Sequence, residues 1–144
     1  MKIWKLVPTF FFLLVLLNIL FIFGAGGAAK LEGKVFSVTM VSKDIWIFSW
    51  GHFFLVVGLF CLFIELLKAT RTSVASIYDH IMSTLTFILF LLEFILVKGA
   101  GSSVFLMLTL MSLFDVVAGF TITITAARRD IALDREASFI QPTP

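Results

Sequence analysis

The sequence predicts an all-α integral membrane protein, an antiparallel bundle of four transmembrane helices with both termini in the cytoplasm. Hydrophobic residues make up 60% of the 144-residue chain and charged residues only 14%, against about 45–50% and about 25% in soluble domains. The apolar residues form long runs that short charged segments separate. Because this composition leaves too little polar surface to cover a water-soluble globule, we expect the chain to lie in a lipid bilayer.

Four apolar runs define the predicted transmembrane domain, which occupies residues 1–129. At about 1.5 Å per residue, about 20 helical residues cross a hydrocarbon core of about 30 Å. The links after the second and third runs are short, which favours antiparallel neighbours. A short cytoplasmic tail follows at 130–144. The spans are expected at about 6–28, 45–67, 77–97 and 104–127.

The first run also has features of a cleaved signal peptide. Lys2 and Lys5 precede it, and small residues follow it at 24–29. However, its apolar stretch, 6–23, is longer than the usual apolar region of about 7–15 residues. We therefore favour an uncleaved first helix.

The distribution of cationic residues predicts the orientation of the chain. The Lys and Arg residues near both termini and in the second connection outnumber those in the first and third connections, by seven to four. The positive-inside rule places the richer side in the cytoplasm. We therefore expect a multi-pass protein of the bacterial inner (plasma) membrane. The seven are Lys2, Lys5, Lys68, Arg71, Arg128, Arg129 and Arg135, and the four are Lys30, Lys34, Lys43 and Lys98.

A strand-like pattern separates the first two runs. Phe36, Val38 and Met40 alternate with Ser37 and Thr39, and a period of two is typical of a β-strand. Two interpretations stay open. The segment is a short hairpin on the membrane surface, or it is a strand offered to a partner.

Asp115 is the most deeply placed acidic residue. It lies 12 residues after Ser103 and 13 before Arg128, which places it about 18–20 Å from each end of its helix. A charge at that depth costs about 2.5–3.5 kcal/mol on insertion scales. Asp115 is therefore protonated, paired, or turned towards a wet cavity or another protein. Its helix face holds small and hydroxyl residues suited to close packing, namely Thr109, Ser112, Gly119 and Thr123.

Three further polar side chains lie within the predicted spans. Glu93 and His52 are expected in the outer half of the membrane, and Asn18 in the first span. Glu93 precedes Lys98 by five residues, and His52 follows Asp44 by eight. These spacings place Glu93 and His52 about 7–8 Å and about 12 Å below the same boundary. We expect a hydrogen bond between them that either ties two helices or forms part of a proton path. Asn18 is expected to tie helices through its amide.

A second group of polar residues gathers near the predicted cytoplasmic boundary. Glu65 ends a face of the second run that also holds Gly51, Gly58 and Cys61, and small residues on such a face allow another helix to approach. The group is expected to form an interfacial salt-bridge network. Its members are Glu65, Lys68, Arg71, Asp79 and His80.

Several function classes are disfavoured by the same residues. The net charge of +2 is spread along the chain, so no basic stripe is available to bind nucleic acid. The single cysteine, Cys61, excludes an intramolecular disulfide. No pair of metal-ligating residues has helical spacing, and we expect Asp79 and His80, as neighbours, to point to different sides. His52 and His80 lie at different depths, so one haem cannot take both. We expect no metal and no cofactor, and no catalytic set is recognisable.

Three functional hypotheses remain. The preferred one is a non-catalytic accessory or scaffolding subunit that packs against other membrane subunits through its small and polar helix faces. The first alternative is a small homo-oligomeric proton-coupled transporter or channel that uses Asp115 with His52 and Glu93. The second is a redox subunit that holds a quinone or a haem.

Overall fold

The computed structural model describes residues 7–23, 27–70 and 74–140, and these are mostly helical. Within these ranges, three helical segments are long and apolar enough to cross a membrane: Trp50–Ala69, Ile77–Leu96 and Ser103–Leu133. By this criterion the chain is a multi-pass membrane protein. The elements in order are α1 (Thr9–Phe23), a 3-10 turn (Gly27–Lys30), β1 (Lys34–Thr39), β2 (Ile45–Ser49), α2 (Trp50–Ala69), α3 (Val74–Leu96) and α4 (Ser103–Ile140).

Helix α1 is shorter than the span predicted at 6–28. It has 15 residues, which is about 22 Å of helix and less than the hydrocarbon thickness. Residues 24–26 lie outside the described ranges. The helix nevertheless belongs to the core, because the side chains of Phe10 and Leu17 are fully buried and α1 packs against α2 and α3.

The second span begins later than predicted, because residues 45–49 form a strand. Ile45 and Ile47 face one side of β2 and pair with β1. The helix begins only at Trp50, where Ser49 caps it. The Ser49 hydroxyl accepts a hydrogen bond from the His52 amide, and His52 Nδ1 accepts one from the Ser49 amide. This reciprocal capping box ends the strand and begins the helix within one residue.

The hairpin of β1 and β2 carries apolar side chains on both faces. Phe36 pairs with Phe48, and Val38 with Trp46, so these four share one face. Two cross-strand contacts hold that face together: the Phe36 and Phe48 rings stack with centroids 4.8 Å apart, and Trp46 meets Phe36 edge-on. Every residue of β1 is exposed. The hairpin interpretation of this segment is therefore correct as regards secondary structure.

Helix α4 extends further than the predicted boundary at 127. It continues to Ile140 and has 38 residues, so the predicted cytoplasmic tail begins as helix. Residues 128–140 contain neither Gly nor Pro, and Arg, Ala, Leu and Glu among them are good helix formers. Pro142 is the first residue able to interrupt such a helix.

Small residues let α4 pack closely against α2. A Cβ atom on Gly58 would lie 2.5 Å from Leu108 Cδ2, and one on Gly51 would lie 2.7 Å from Val104 Cγ2. The apolar core forms around this contact and around α1. Its buried members are Phe10, Leu13, Leu14, Leu17, Leu31, Phe54, Phe90, Ala100, Phe105 and Leu108.

We expect Gly58→Leu to destabilise the protein by about 1–3 kcal/mol, because the new side chain overlaps the fully buried Leu108. The measurement is denaturant-induced unfolding of the purified protein in detergent micelles. Gly101→Leu is the matched control, since no atom lies within 4 Å of a Cβ built there. Equal stability of the two variants would contradict the close α2–α4 contact.

Candidate functional site

A polar cluster lies between α2, α3 and α4 and surrounds a small cavity. The cavity measures about 10 Å³, which is close to the minimum needed for one water molecule. We call the end of the molecule nearest this cluster the Lys68 end, and the opposite end, which carries β1 and β2, the hairpin end. The cluster comprises Glu65, Lys68, Ala69, Asp79, His80, Ser83, Asp115 and Gly119.

Glu65 is a buried carboxylate held from two directions. Only 4% of its surface is exposed. Its Oε1 accepts a hydrogen bond from the backbone N–H of Thr9, the first residue of α1. Its Oε2 lies 2.9 Å from Lys68 Nζ. The first amides of a helix lack partners within the helix and carry its positive dipole end, so a carboxylate stabilises this position.

Lys68 is shared between two carboxylates. Besides Glu65, its Nζ lies 3.4 Å from Asp79 Oδ1, an ion pair whose geometry falls short of a hydrogen bond. The Lys68 and Asp79 side chains are 24% and 21% exposed. The ammonium therefore connects the buried end of α2 to α3 at the edge of the cluster.

Among the residues that the structure describes, no cationic side chain forms an ion pair with Asp115. It is 5% exposed, and the Ser83 side chain of α3 is hydrogen bonded to it. Among the described residues, none is hydrogen bonded to its Oδ2 atom, and the side chain lines the cavity. The deepest acid of the sequence is thus placed beside two other carboxylates with one oxygen unsatisfied.

His80 joins α3 to α4 on the same cavity. Its Nε2 lies 2.7 Å from the Thr123 hydroxyl, and its ring packs on Phe120 at a centroid distance of 4.9 Å. A Cβ atom on Gly119 would lie 2.9 Å from the ring, so only glycine leaves it this space. Asp79 and His80 turn to different helices, Asp79 to Lys68 of α2 and His80 to Thr123 of α4, although both line the cavity.

A second polar contact ties α1 to α3 nearer the hairpin end. Asn18 Nδ2 donates to Glu93 Oε2 at 2.8 Å and to the Leu14 carbonyl at 3.0 Å. Within the described part of the chain, Glu93 Oε1 is buried without a hydrogen-bond partner. The amide of Asn18 therefore connects two helices.

The predicted hydrogen bond between His52 and Glu93 is wrong. His52 Nδ1 bonds Ser49 at the start of α2, and its ring stacks on Phe48 with centroids 5.8 Å apart. Glu93 bonds Asn18 instead. The reason is that the strand at 45–49 delays the start of α2, so His52 lies in its first turn rather than deep in a span.

The structure also locates the other residues that the sequence analysis singled out. Ser112, Gly51 and Gly58 are buried in helix contacts. Arg71 lies outside the described residues. His52 and His80 lie at opposite ends, one in the first turn of α2 and the other in the polar cluster. In the ranges that the structure describes, His, Cys, Asp and Glu residues form no group of three able to hold a metal ion.

The chain is without a match in all three comparisons with known proteins: no family model matches it, nor does any curated protein or solved structure. The chemistry of the polar cluster thus rests on its own side chains. Carboxylates, an imidazole and hydroxyls can hold a proton or a water molecule and can bond helices together.

Two partners in the clusters were missed by sequence reasoning. The Glu65 carboxylate caps the start of α1 by accepting a hydrogen bond from the Thr9 amide, a pairing across 56 residues that no local pattern reveals. Thr123 was placed on the face of Asp115, but its bond to His80 depends on how α3 and α4 rotate against each other. The Pro8-Thr9 start of the apolar run was the available signal for the first.

We expect Lys68→Met to destabilise the protein by about 1–3 kcal/mol, because Glu65 and Asp79 lose their shared cation while Glu65 stays buried. Unfolding in detergent micelles measures this loss. Lys98→Met is the control, since Lys98 is exposed in the α3–α4 turn. Adding Glu65→Gln to Lys68→Met should recover part of the loss. A Lys68→Met protein as stable as the control would contradict the network.

A double-mutant cycle on Asn18→Ala and Glu93→Ala should give an interaction energy of about 1 kcal/mol. The same cycle on His52→Ala and Glu93→Ala should give a value near zero, because His52 contacts Ser49 and Phe48 instead. Unfolding free energies of the four proteins in each cycle provide the measurement. A larger value for the second cycle would restore the pairing expected from the sequence.

Proposed function

We propose that the chain is a non-catalytic accessory or scaffolding subunit of a larger membrane protein complex. In this proposal it crosses a plasma membrane, the inner membrane in a bacterium, as a bundle of four helices. The cation distribution supports cytoplasmic termini, which places the Lys68 end inside and the hairpin end outside. Retention of α1 is supported by its buried contacts with α2 and α3.

The hairpin is the observation that carries this proposal. Large apolar side chains are exposed on both of its faces, including Phe36, Val38 and Trp46 on one and Ile45 and Ile47 on the other. A bilayer surface covers one face of such a ribbon at most. A contiguous apolar surface of this kind on a soluble segment is typical of a protein interaction site.

The partner expected at the hairpin is another membrane protein that supplies an extended segment. The sheet has two strands in the described residues, so each strand has an outer edge with backbone donors and acceptors. A two-stranded sheet is marginal by itself. An added strand would satisfy one edge through backbone bonds while its apolar side chains cover one face.

The polar interior supports a structural role for most of the intramembrane side chains. Asn18 and Glu93 bond each other, Glu65 bonds α1 and Lys68, and His80 bonds Thr123. Asp115 lies in the polar cluster, whereas Glu93 bonds α1 nearer the hairpin end and His52 begins α2. A path through these three residues therefore has no support in the geometry.

A larger surface groove on α2 is lined by apolar side chains alone. Its volume is about 440 Å³, and its lining residues are Leu59, Phe60, Leu62, Phe63 and Leu66. Such a groove suits an acyl chain or a neighbouring helix. It adds packing surface to the subunit without adding reactive groups.

The test is site-specific photo-crosslinking in native membranes. A photo-reactive residue at Ile47 should form an adduct with one membrane protein, whereas the same residue at Leu59 on α2 should form lipid adducts. Phe36→Ser combined with Trp46→Ser should remove the protein adduct and reduce the size of the complex on a native gel.

Three outcomes of that test would contradict the proposal. They are lipid adducts alone at position 47, a cross-link to a second copy of this chain, and a complex whose size is unchanged by the double substitution. The second outcome would indicate self-association instead.

A further inference from the structure

We propose that the cavity of the polar cluster is a binding site for a single proton, which Asp115 carries and exchanges only with the Lys68 end of the molecule. This site goes beyond the proposed scaffolding role, since a scaffold needs no exchangeable proton. It stands on three observations: the charge balance of the cluster, the size of the cavity, and the difference in side-chain exposure between the two ends of the cavity.

The charge balance singles out Asp115. Glu65, Asp79 and Asp115 face one ammonium, that of Lys68, which gives a formal charge of −2 when all are ionised and His80 is neutral. Glu65 has Lys68 and the amide end of α1, and Asp79 has Lys68 and partial exposure to water. Asp115 has a hydroxyl partner only and is 5% exposed. Burying such an uncompensated charge costs several kcal/mol.

The cavity admits a single small species. Its volume of about 10 Å³ leaves room for about one water molecule. The described residues offer no group of three metal-ligating side chains, whereas a proton needs one acceptor oxygen. Asp115 Oδ2 is that oxygen, since it is buried, unpartnered and part of the cavity wall.

Access to the cavity is asymmetric. At the Lys68 end the cavity is lined by Asp79, which pairs with Lys68, and these two side chains are 21% and 24% exposed. At the other side the faces of α3 and α4 are close-packed. The side chains there are exposed by 3% or less: Thr86 and Phe90 on α3, and Phe105, Leu108, Thr109 and Ser112 on α4.

Every charged or titratable group that faces Asp115 among the described residues lies on α2 or α3. These are Glu65 and Lys68 of α2 and Asp79 and His80 of α3, while α1 contributes the Thr9 amide through Glu65. Loss of the proton places a third negative charge beside Glu65 and Asp79. The resulting repulsion acts across the contacts that join α2, α3 and α4, so proton release loosens this junction.

The first experiment is infrared spectroscopy of the full chain in nanodiscs at neutral pH. We expect the carbonyl band of a neutral carboxylic acid, lost in part or whole in Asp115→Asn and retained in the control variant Asp44→Asn, whose carboxylate is exposed. Carbodiimide labelling of the unaltered protein, mapped by peptide mass spectrometry, needs no variant and should modify Asp115. Absence of both signals at Asp115 would overturn the proposal.

Two further measurements address the nature of the ligand and the direction of access. Replacing choline chloride by sodium chloride at constant ionic strength should leave the acid band and the labelling unchanged. Protection by sodium would mean that the cavity binds a metal cation, and the proton assignment would be wrong. Vesicles containing the protein should show no proton flux that depends on Asp115, and a flux abolished by Asp115→Asn would overturn the one-sided access.

Failure of this proposal and failure of the scaffolding proposal are separate results. The infrared and labelling signals depend on the polar cluster alone and are measured without a partner. The cross-linking signal depends on the hairpin, at the opposite end of α2. A Phe36→Ser and Trp46→Ser double variant should keep the acid band, and Asp115→Asn should keep the cross-link.

Discussion

The ion pair between the buried Glu65 and the partly exposed Lys68 is the interaction on which the arrangement of the helices depends. Glu65 fixes the first amide of α1, while Lys68 extends the same pair to Asp79 of α3. A charged pair inside a membrane is stabilising only when its remaining hydrogen-bonding capacity is used. Here each member of the pair also interacts with another helix: Glu65 accepts from the first amide of α1, and Lys68 pairs with Asp79 of α3. The placement of α1 and α3 therefore depends on one residue pair on α2.

Glycines make this polar interior possible. Gly58 brings α4 against α2, and Gly119 leaves space for the ring of His80. In a bilayer, helices gain little from burying apolar surface, so close backbone approach and hydrogen bonds decide which faces meet. The small-residue faces and the polar cluster therefore act together. The small residues bring the helix backbones close, and at that distance the polar side chains of the cluster reach partners on neighbouring helices.

The sequence predicts the positions of the long apolar helices well and the rotation of each helix about its axis poorly. Apolar length located the three described helices that are long enough to cross a membrane, and residue counts placed Glu65, Asp79 and His80 in one polar group. Which side chains meet depends on how each helix turns about its axis, and single-chain periodicity does not determine that. The pairing of His52 with Glu93 failed because 45–49 is as apolar as a span, yet its partner strand and the Ser49 cap convert it to β-structure. Asp115 was recognised as unusual from its depth, but its neighbours came only from the packing.

The capping box at Ser49 joins β2 to α2 without an intervening loop. Stacking of His52 on Phe48 stiffens this joint further. A displacement of the hairpin is therefore transmitted to α2 as a rotation or tilt rather than absorbed by flexible chain. Because Glu65 and Lys68 lie at the far end of that helix, the hairpin and α2 together form a lever, with the hairpin as its short arm and the polar cluster at the end of its long arm.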